Sequence, residues 1–282
     1  MLCLYQVPSG YREPFSAWGW HDETGIRPIP EHKEHLVYEA LVLGNKSLAD
    51  LAPGVKDNYV QSADLGVPLM PSMEVWAAGV TYESSKFARM AESEGGGDFY
   101  AKVYVAERPE LFFKATPRRV VGPNAPVRIR ADSTWNVPEP ELAAVIAANG
   151  RIVGYTIGND MSSRSIEGEN PLYLPQAKVY TGSCALGPWI VPAESVDPQN
   201  LGISMTITRG GAVAFQGETS TARMKRSVHE LAEWLFREND FPGGAILLTG
   251  TGIIPPEDFT LQVGDRIEIA IDGIGTLRNE VA

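Results

Sequence analysis

Short runs in which apolar and polar residues alternate dominate this chain, and alternation with a period of two is typical of β-strands. The pattern predicts strands at 75–80, 111–113, 127–130, 137–146, 152–160, 186–191, 203–215, 245–248, 266–271 and 275–281. One helix is predicted at 225–238, where apolar residues recur at amphipathic spacing: Val228, Leu231, Ala232 and Leu235. Strands that outnumber helices to this extent predict an α+β, mostly β fold rather than alternating βαβ units.

The first 70 residues have a different character from the rest, because prolines and turn-forming residues interrupt them repeatedly. They hold one predicted strand at 36–42 and one brief helix near 48–51. We therefore expect a small N-terminal accessory domain at 1–70 and a larger second domain at 71–282.

A hairpin is predicted around Asn149-Gly150, the strongest short signal for a two-residue turn between strands. If this turn sets the register, Glu139 stands opposite Asp160, and Glu141 stands opposite Gly158. Residues two apart on a strand share a face, so all three carboxylates point to the same side of the sheet.

Three carboxylates on one surface repel each other unless a cation joins them, and Gly158 would leave room for one. An all-oxygen ligand set suits a hard divalent ion, so we expect Mg²⁺ first, with Mn²⁺ or Ca²⁺ as substitutes. The alternative is a solvated acidic face of the sheet without a metal.

Composition narrows the class of protein. The 282 residues carry a formal net charge of −11, which argues against nucleic acid and anionic membrane as partners. Two cysteines are too few for a disulfide framework and fit a reducing compartment. No apolar run approaches the ~20 residues of a membrane span, and the N-terminus lacks the pattern of a secretory signal. We therefore expect a cytoplasmic protein.

Several motifs lie at 139–142, 154–164, 186–189 and 247–252, together with Lys178. In this order and spacing they resemble the fumarylacetoacetate hydrolase superfamily. The resemblance covers residues from about 73 to 282 and implies a mixed β-sandwich roll. It also implies Mg²⁺ or Mn²⁺ held by Glu139, Glu141 and Asp160, a 2-oxo-acid or diketo substrate, and a homodimer or dimer-based tetramer.

The chain departs from the hydrolase branch where that branch carries a His–Glu pair that activates water. Ser85 and Ala88 occupy those two positions, and neither side chain can act as a general base near neutral pH. The chain is more similar to the sugar-acid dehydratase branch, through the segments 79–85, 88–90, 107–114 and 170–178. On this resemblance we expect the following residues to bind substrate: Thr81, Tyr82, Ser85, Arg89 and Thr251.

The branch implies dehydration of a 2-keto-3-deoxy sugar acid of the 2-keto-3-deoxy-D-arabinonate type to 2,5-dioxopentanoate. Such a reaction needs a base for a C3 proton and an acid for the departing C4 hydroxyl, and Glu110 and Lys178 are the two candidates. The alternatives are a strand-end carboxylate for Glu110 and a structural ion pair for Lys178. We expect Arg164 to support the metal carboxylates. The alternative function is a metal-dependent hydrolase of acylpyruvate or 2,4-diketo acid substrates.

Overall fold

The computed structural model describes residues 1–7, 15–54, 59–60, 64–92 and 97–282, and its secondary structure is mostly β. The strands in chain order are β1 Leu2–Val7, β2 Phe15–Asp22, β3 Gly25–Pro28, β4 Glu74–Gly79, β5 Glu110–Ala115, β6 Val120–Val121, β7 Asn136–Val137, β8 Pro140–Ile146, β9 Ile152–Asp160, β10 Ser162–Ser163, β11 Cys184–Pro192, β12 Gly202–Arg209, β13 Ala212–Ser220, β14 Ala245–Leu248, β15 Arg266–Ile271 and β16 Gly275–Glu280. The α-helices are α1 Glu34–Tyr38, α2 Glu83–Glu92, α3 Gly97–Val105, α4 Arg164–Glu169, α5 Leu174–Lys178 and α6 Val228–Leu235.

Two sheets form the body of the protein. The larger follows the order β3-β2-β1-β11-β9-β8-β14-β4-β5, with β6 beside β11, and the smaller follows β13-β12-β15-β16. Most neighbouring strands are antiparallel, but β14 pairs with β4 in parallel, so the large sheet is mixed. One buried core joins residues of both sheets, among them Leu142, Ile157, Ile207 and Ile269. The predicted mostly β sandwich architecture is confirmed.

The N-terminal segment is attached to the rest through a continuous sheet. Strand β1 pairs with β11, with Leu2 opposite Ile190, so β1, β2 and β3 extend the large sheet. A second core joins Leu41 and Leu48 of this segment with Val75 and Val145. The domain boundary near residue 70 stays a prediction, and any N-terminal unit shares both sheet and core with the remainder.

The predicted strand at 36–42 is wrong, because this segment is helical. It comprises the end of α1 and a π-helical turn, Glu39–Leu43. The residues that it buries include Val37, Ala40 and Leu41, which have helical i, i+3, i+4 spacing. Their apolar character was compatible with either structure, and burial against the large sheet selects the helix.

The hairpin that carries the acidic residues has the predicted register near its open end but not at its turn. Glu141 pairs with Gly158 as predicted, whereas Ile146 pairs with Ile152 after a register shift. The amide of Ala147 donates to the carbonyl of Arg151 at 2.9 Å, and Gly150 has φ +80°. The connection is therefore one residue longer than a two-residue turn, and a bulge restores the predicted pairing before the acidic residues.

Helix α6 is shorter than the predicted 225–238. It begins after Ser227, whose Oγ accepts a hydrogen bond from the Glu230 amide at 3.0 Å. This N-cap satisfies an amide that has no partner within the helix.

Among the residues that the structure describes, no helix is both long and apolar enough to cross a membrane.

Candidate metal and substrate site

The three predicted carboxylates lie together at the open end of the β8–β9 hairpin. One carboxylate oxygen from each of Glu139, Glu141 and Asp160 lies within 4.8 Å of the others. Glu139, Glu141 and Asp160 are 4%, 2% and 1% exposed, respectively, so the alternative of a solvated acidic face does not apply. The sheet register produces the convergence, since the Asp160 amide donates to the Glu139 carbonyl at 3.0 Å and Glu141 pairs with Gly158.

Gly158 does not leave room for a cation, contrary to the prediction from its position opposite Glu141. A Cβ atom at Gly158 would overlap Cδ2 of Leu248 and would contact Ala143. The missing side chain therefore admits Leu248 of β14 to the core on the same face of the sheet as Glu141. The space for an ion is bounded by the carboxylates themselves.

Three buried cations approach two of the three carboxylates. An Arg164 guanidinium nitrogen lies 2.8 Å from Glu139 Oε1, and Glu139 is one of the carboxylates that this arginine is predicted to support. Lys178 Nζ donates to Glu139 Oε2 at 2.7 Å, to Asp160 Oδ2 at 3.2 Å and to Ser162 Oγ at 2.5 Å. Lys114 Nζ lies 2.5 Å from Asp160 Oδ1. Glu139 and Asp160 are therefore held in place by opposite charges on several sides.

Glu141 differs from its two neighbours, because no described cationic side chain lies within ion-pair distance of it. Its Oε2 accepts a hydrogen bond from the Gly250 amide at 2.6 Å. Burial and the charges of Asp160 and Glu139 raise the pKa of Glu141 well above its ordinary value. Burial opposes ionisation of Asp160 as well, but Lys114 and Lys178 outweigh it and lower the pKa of Asp160.

This donor set fits a hard divalent cation. The oxygen atoms are preorganised, buried and close together, and the charge of Glu141 is opposed by its neighbours. A bound cation would relieve that repulsion, and carboxylate oxygens are the ligands that Mg²⁺ prefers.

A cavity opens directly above the carboxylates, and β5 supplies one of its walls. Glu110, Phe112 and Lys114 lie on the same face of β5 because they are two residues apart. Phe112 lines the cavity, and Lys178 Nζ lies 5.7 Å from the centre of its ring. Glu110 is half-buried and its carboxylate lies over Gly79, which also lines the cavity. The two candidate proton carriers thus approach one cavity from different elements.

The loop 249–252 closes another side of the cavity. Gly250 has φ +93°, and a Cβ atom there would overlap Thr81 Oγ1, so only glycine fits this position. Thr81 Oγ1 donates to the Thr249 carbonyl at 2.7 Å, and Ser84 Oγ donates to the Gly252 carbonyl at 3.1 Å. The loop is thereby bonded both to Glu141 and to the start of α2.

The chain turns sharply where β4 leads into α2. Val80 has φ +54°, a left-handed conformation that is rare and strained for a β-branched residue. Val80 lines the cavity, as do Ser85 and Thr251. Strain of this kind is concentrated at binding and catalytic sites, and here the turn delivers the start of α2 to the cavity.

The predicted substrate-binding residues are only partly brought together. Ser85 and Thr251 line the cavity, but Ser85 Oγ donates to the Tyr82 carbonyl at 2.7 Å and Thr251 Oγ1 donates to the Ile253 carbonyl at 3.2 Å. Thr81 is buried below them and Tyr82 packs in the core, where burial and the charge of Glu141 raise its pKa. The side chain of Arg89 lies outside the described residues.

Sequence analysis missed two buried residues of the site. Lys114 also donates to the carbonyls of Met161 and Lys178, at 3.0 and 2.5 Å, so it joins three separate segments. Glu167 is 1% exposed, and its Oε1 lies 4.0 Å from Lys178 Nζ. Lys114 could have been found from the sequence, because it is a lysine on the same face of an apolar strand as Glu110. Glu167 could have been found because it lies about one helical turn after Arg164.

Comparison with known proteins identifies one family model and several similar proteins, two of which are dehydratases of sugar acids. Residues 75–282 match the family model described as fumarylacetoacetate (FAA) hydrolase, C-terminal. A probable 2-keto-3-deoxyxylonate dehydratase of Haloferax volcanii is 55% identical over 209 residues, covering 74% of this chain and 72% of the relative. A 2-dehydro-3-deoxy-D-arabinonate dehydratase of Saccharolobus solfataricus is 42% identical over 261 residues, covering 91% and 86%.

A solved structure extends the likeness to the whole fold. It is a 2-keto-3-deoxy-D-arabinonate dehydratase complexed with magnesium and 2,5-dioxopentanoate. It superposes with a TM-score of 0.81 at 38% identity, covering 100% of this chain and 98% of that chain.

Proposed function

The chain belongs to the fumarylacetoacetate hydrolase family, and we propose that it is a Mg²⁺-dependent dehydratase of 2-keto-3-deoxy sugar acids. The substrate is of the 2-keto-3-deoxy-D-arabinonate type, and the product is 2,5-dioxopentanoate, the compound found with magnesium in the similar structure. The observation that carries the proposal is the buried trio of Glu139, Glu141 and Asp160 beneath a cavity that Lys178 also lines.

The trio would hold the metal, and the cavity above it would hold the substrate. When bound, Mg²⁺ polarises the carboxylate and carbonyl oxygens of a 2-oxo acid and makes its C3–H more acidic. Arg164 and Lys114 keep Glu139 and Asp160 oriented through the contacts at 2.8 and 2.5 Å. The Gly250 amide does the same for Glu141 at 2.6 Å.

Proton transfer falls to Glu110 and Lys178. One of them removes a proton from C3, and the other donates a proton to the C4 hydroxyl as it leaves as water. A proton is then lost from C5 and one is gained at C3, which gives a C4–C5 enol. This enol gains a proton at C4 and loses its hydroxyl proton, which gives the terminal aldehyde. The Glu110 carboxylate lies over Gly79 in the cavity wall, and Lys178 Nζ lies at the cavity floor.

The remaining cavity positions would contact the substrate. Ser85 and Thr251 offer hydroxyl oxygens as acceptors, because both already donate to backbone carbonyls. Thr81 supports them from below by bonding to the 249–252 loop. Tyr82 and Arg89 remain proposed contacts at the start of α2 and further along it.

We also propose that the enzyme works in the cytoplasm as a homodimer or a dimer of dimers. Both cysteines, Cys3 and Cys184, are buried and form no disulfide, which suits a reducing compartment. Light scattering on the purified protein measures the assembly directly.

The experiment that tests the function uses the EDTA-treated, full-length protein with and without added Mg²⁺. It is incubated with 2-keto-3-deoxy-D-arabinonate and, separately, with acylpyruvates. We expect a Mg²⁺-dependent aldehyde product from the sugar acid and no acid release from acylpyruvates. Acid release without dehydration would instead support the hydrolase alternative, and dehydration that persists after exhaustive chelation would contradict the metal site.

A further inference from the structure

Lys178 donates hydrogen bonds to carboxylate oxygens of two residues that would also bind a divalent cation. Its ammonium donates to Glu139 Oε2 at 2.7 Å and to Asp160 Oδ2 at 3.2 Å, and both residues belong to the carboxylate trio. The side chain of Lys178 is 1% exposed, so water screens this positive charge very little. An ammonium and a metal ion on the same oxygens therefore compete.

One further carboxylate beside this ammonium lies outside the trio. Glu167 is 1% exposed, and its Oε1 lies 4.0 Å from Lys178 Nζ. It is carried by α4, which begins with Arg164, and Arg164 contacts Glu139 Oε1 while Lys178 contacts Oε2. Lys178 is thus surrounded by three carboxylates, of which two are expected to bind the metal and one is not.

We propose that Glu167 is a positioning residue that draws the Lys178 ammonium away from the oxygens of Glu139 and Asp160 and so opens them to the metal. The inference rests on the proposed function only for the presence of the metal. A buried ammonium needs a nearby negative charge, and Glu167 supplies one that the metal does not share. The lysine can then stay in the cavity, close to the substrate, without blocking the carboxylates.

The first test measures Mg²⁺ binding to the metal-stripped, full-length protein by titration calorimetry, without substrate. Glu167→Gln keeps the size of the side chain and removes its charge, so the ammonium stays on the trio. We expect Mg²⁺ affinity to fall by about tenfold, the lower end of the range for residues that support metal ligands. Glu169→Gln is the matched control, because Glu169 is an exposed carboxylate on the same helix. Equal affinities in Glu167→Gln and wild type would overturn the proposal.

A double-variant comparison shows whether Glu167 acts through Lys178. Lys178→Met removes the competing ammonium, so we expect Mg²⁺ to bind more tightly than in wild type. In that background Glu167→Gln should lose most of its effect on Mg²⁺ affinity. If it weakens binding equally with and without Lys178, Glu167 acts on the metal site by another route and the proposal is wrong. Lys178→Gln serves the same comparison if the Met variant does not fold.

Failure of this inference differs from failure of the proposed function. Wild-type protein that binds no Mg²⁺ at all would contradict the function itself, together with this inference. Wild-type protein that binds Mg²⁺ and converts the sugar acid, with additive effects of the two substitutions, would contradict only the role of Glu167.

Discussion

The Glu110 carboxylate lies in space that only a glycine at position 79 leaves open. The two residues pair across β4 and β5, and a Cβ atom at Gly79 would overlap Glu110 Oε2. Gly79 does not have a positive φ, so the backbone there accepts alanine without strain. Its function is therefore steric, since it allows the Glu110 side chain to lie against a backbone position that lines the cavity.

Gly79→Ala should displace the Glu110 carboxylate and leave the fold intact. We expect kcat to fall by about 10²-fold with little change in KM, because misplacing a reacting group by ~1 Å has an effect of that size. In a Glu110→Gln background, Gly79→Ala should have no further effect on kcat. A further loss in that background would mean that the methyl group obstructs the substrate rather than Glu110.

Glu110→Gln and Lys178→Met test the two proton carriers. Each should lower kcat at saturating Mg²⁺ by about 10²–10⁴-fold, the usual contribution of general acid–base catalysis. Deuterium placed at C3 of the substrate should exchange with solvent in wild type and not in the variant that lacks the C3 base. If turnover and deuterium exchange are unchanged in Glu110→Gln, Glu110 is only a strand-end carboxylate and Lys178 is the only remaining candidate base.

Neutral substitutions in the carboxylate trio should each weaken metal binding. For Glu139→Gln, Glu141→Gln and Asp160→Asn we expect a loss of Mg²⁺ affinity of at least ~10–100-fold, since supporting residues alone contribute that much. Calorimetry on the metal-stripped protein measures the affinity, with Glu169→Gln as control. Wild-type affinity in any one variant would remove that residue from the ligand set.

Gly158→Ala should reduce stability and leave metal affinity unchanged. Its methyl group would overlap Leu248 Cδ2, and overpacking of this kind costs about 1–3 kcal/mol of unfolding free energy. Adding Leu248→Val, which removes the clashing carbon, should recover part of that loss. Urea unfolding measures both effects. A variant that keeps its stability but binds Mg²⁺ weakly would instead show that the glycine leaves room for the ion.

Lys114→Met should destabilise the protein more than a surface charge change does. It would remove the partner of Asp160 at 2.5 Å and leave Lys178 at 3.2 Å, so we expect a loss below the ~3–5 kcal/mol that follows when a buried charge keeps no partner. Urea unfolding in EDTA measures the change, with exposed Lys102→Met as control. Equal stability of the two variants would show that Lys114 contributes little to holding the site together.

Local patterns in the sequence were sufficient for most strands after residue 70, although not for 127–130, where only Val127 forms a bridge, and they were sufficient for the acidic trio. Period-two alternation placed Glu139 and Glu141 on one face, and the turn at Asn149-Gly150 brought Asp160 opposite them. The turn itself is one residue longer than predicted, but a bulge compensates before the acidic residues. Alternation and turn chemistry depend on neighbours in the chain, so they can be predicted from composition and order alone.

Tertiary packing decided what surrounds those carboxylates. Lys114 comes from β5 and Glu167 from α4, and their approach to Asp160 and Lys178 depends on how distant elements pack. The same is true of Gly158, whose neighbour Leu248 comes from β14. It is also true of the helical segment at 36–42, whose apolar residues suited either structure until the large sheet buried them. Contacts between residues far apart in sequence follow from packing, because no local pattern specifies which side chains a folded core brings together.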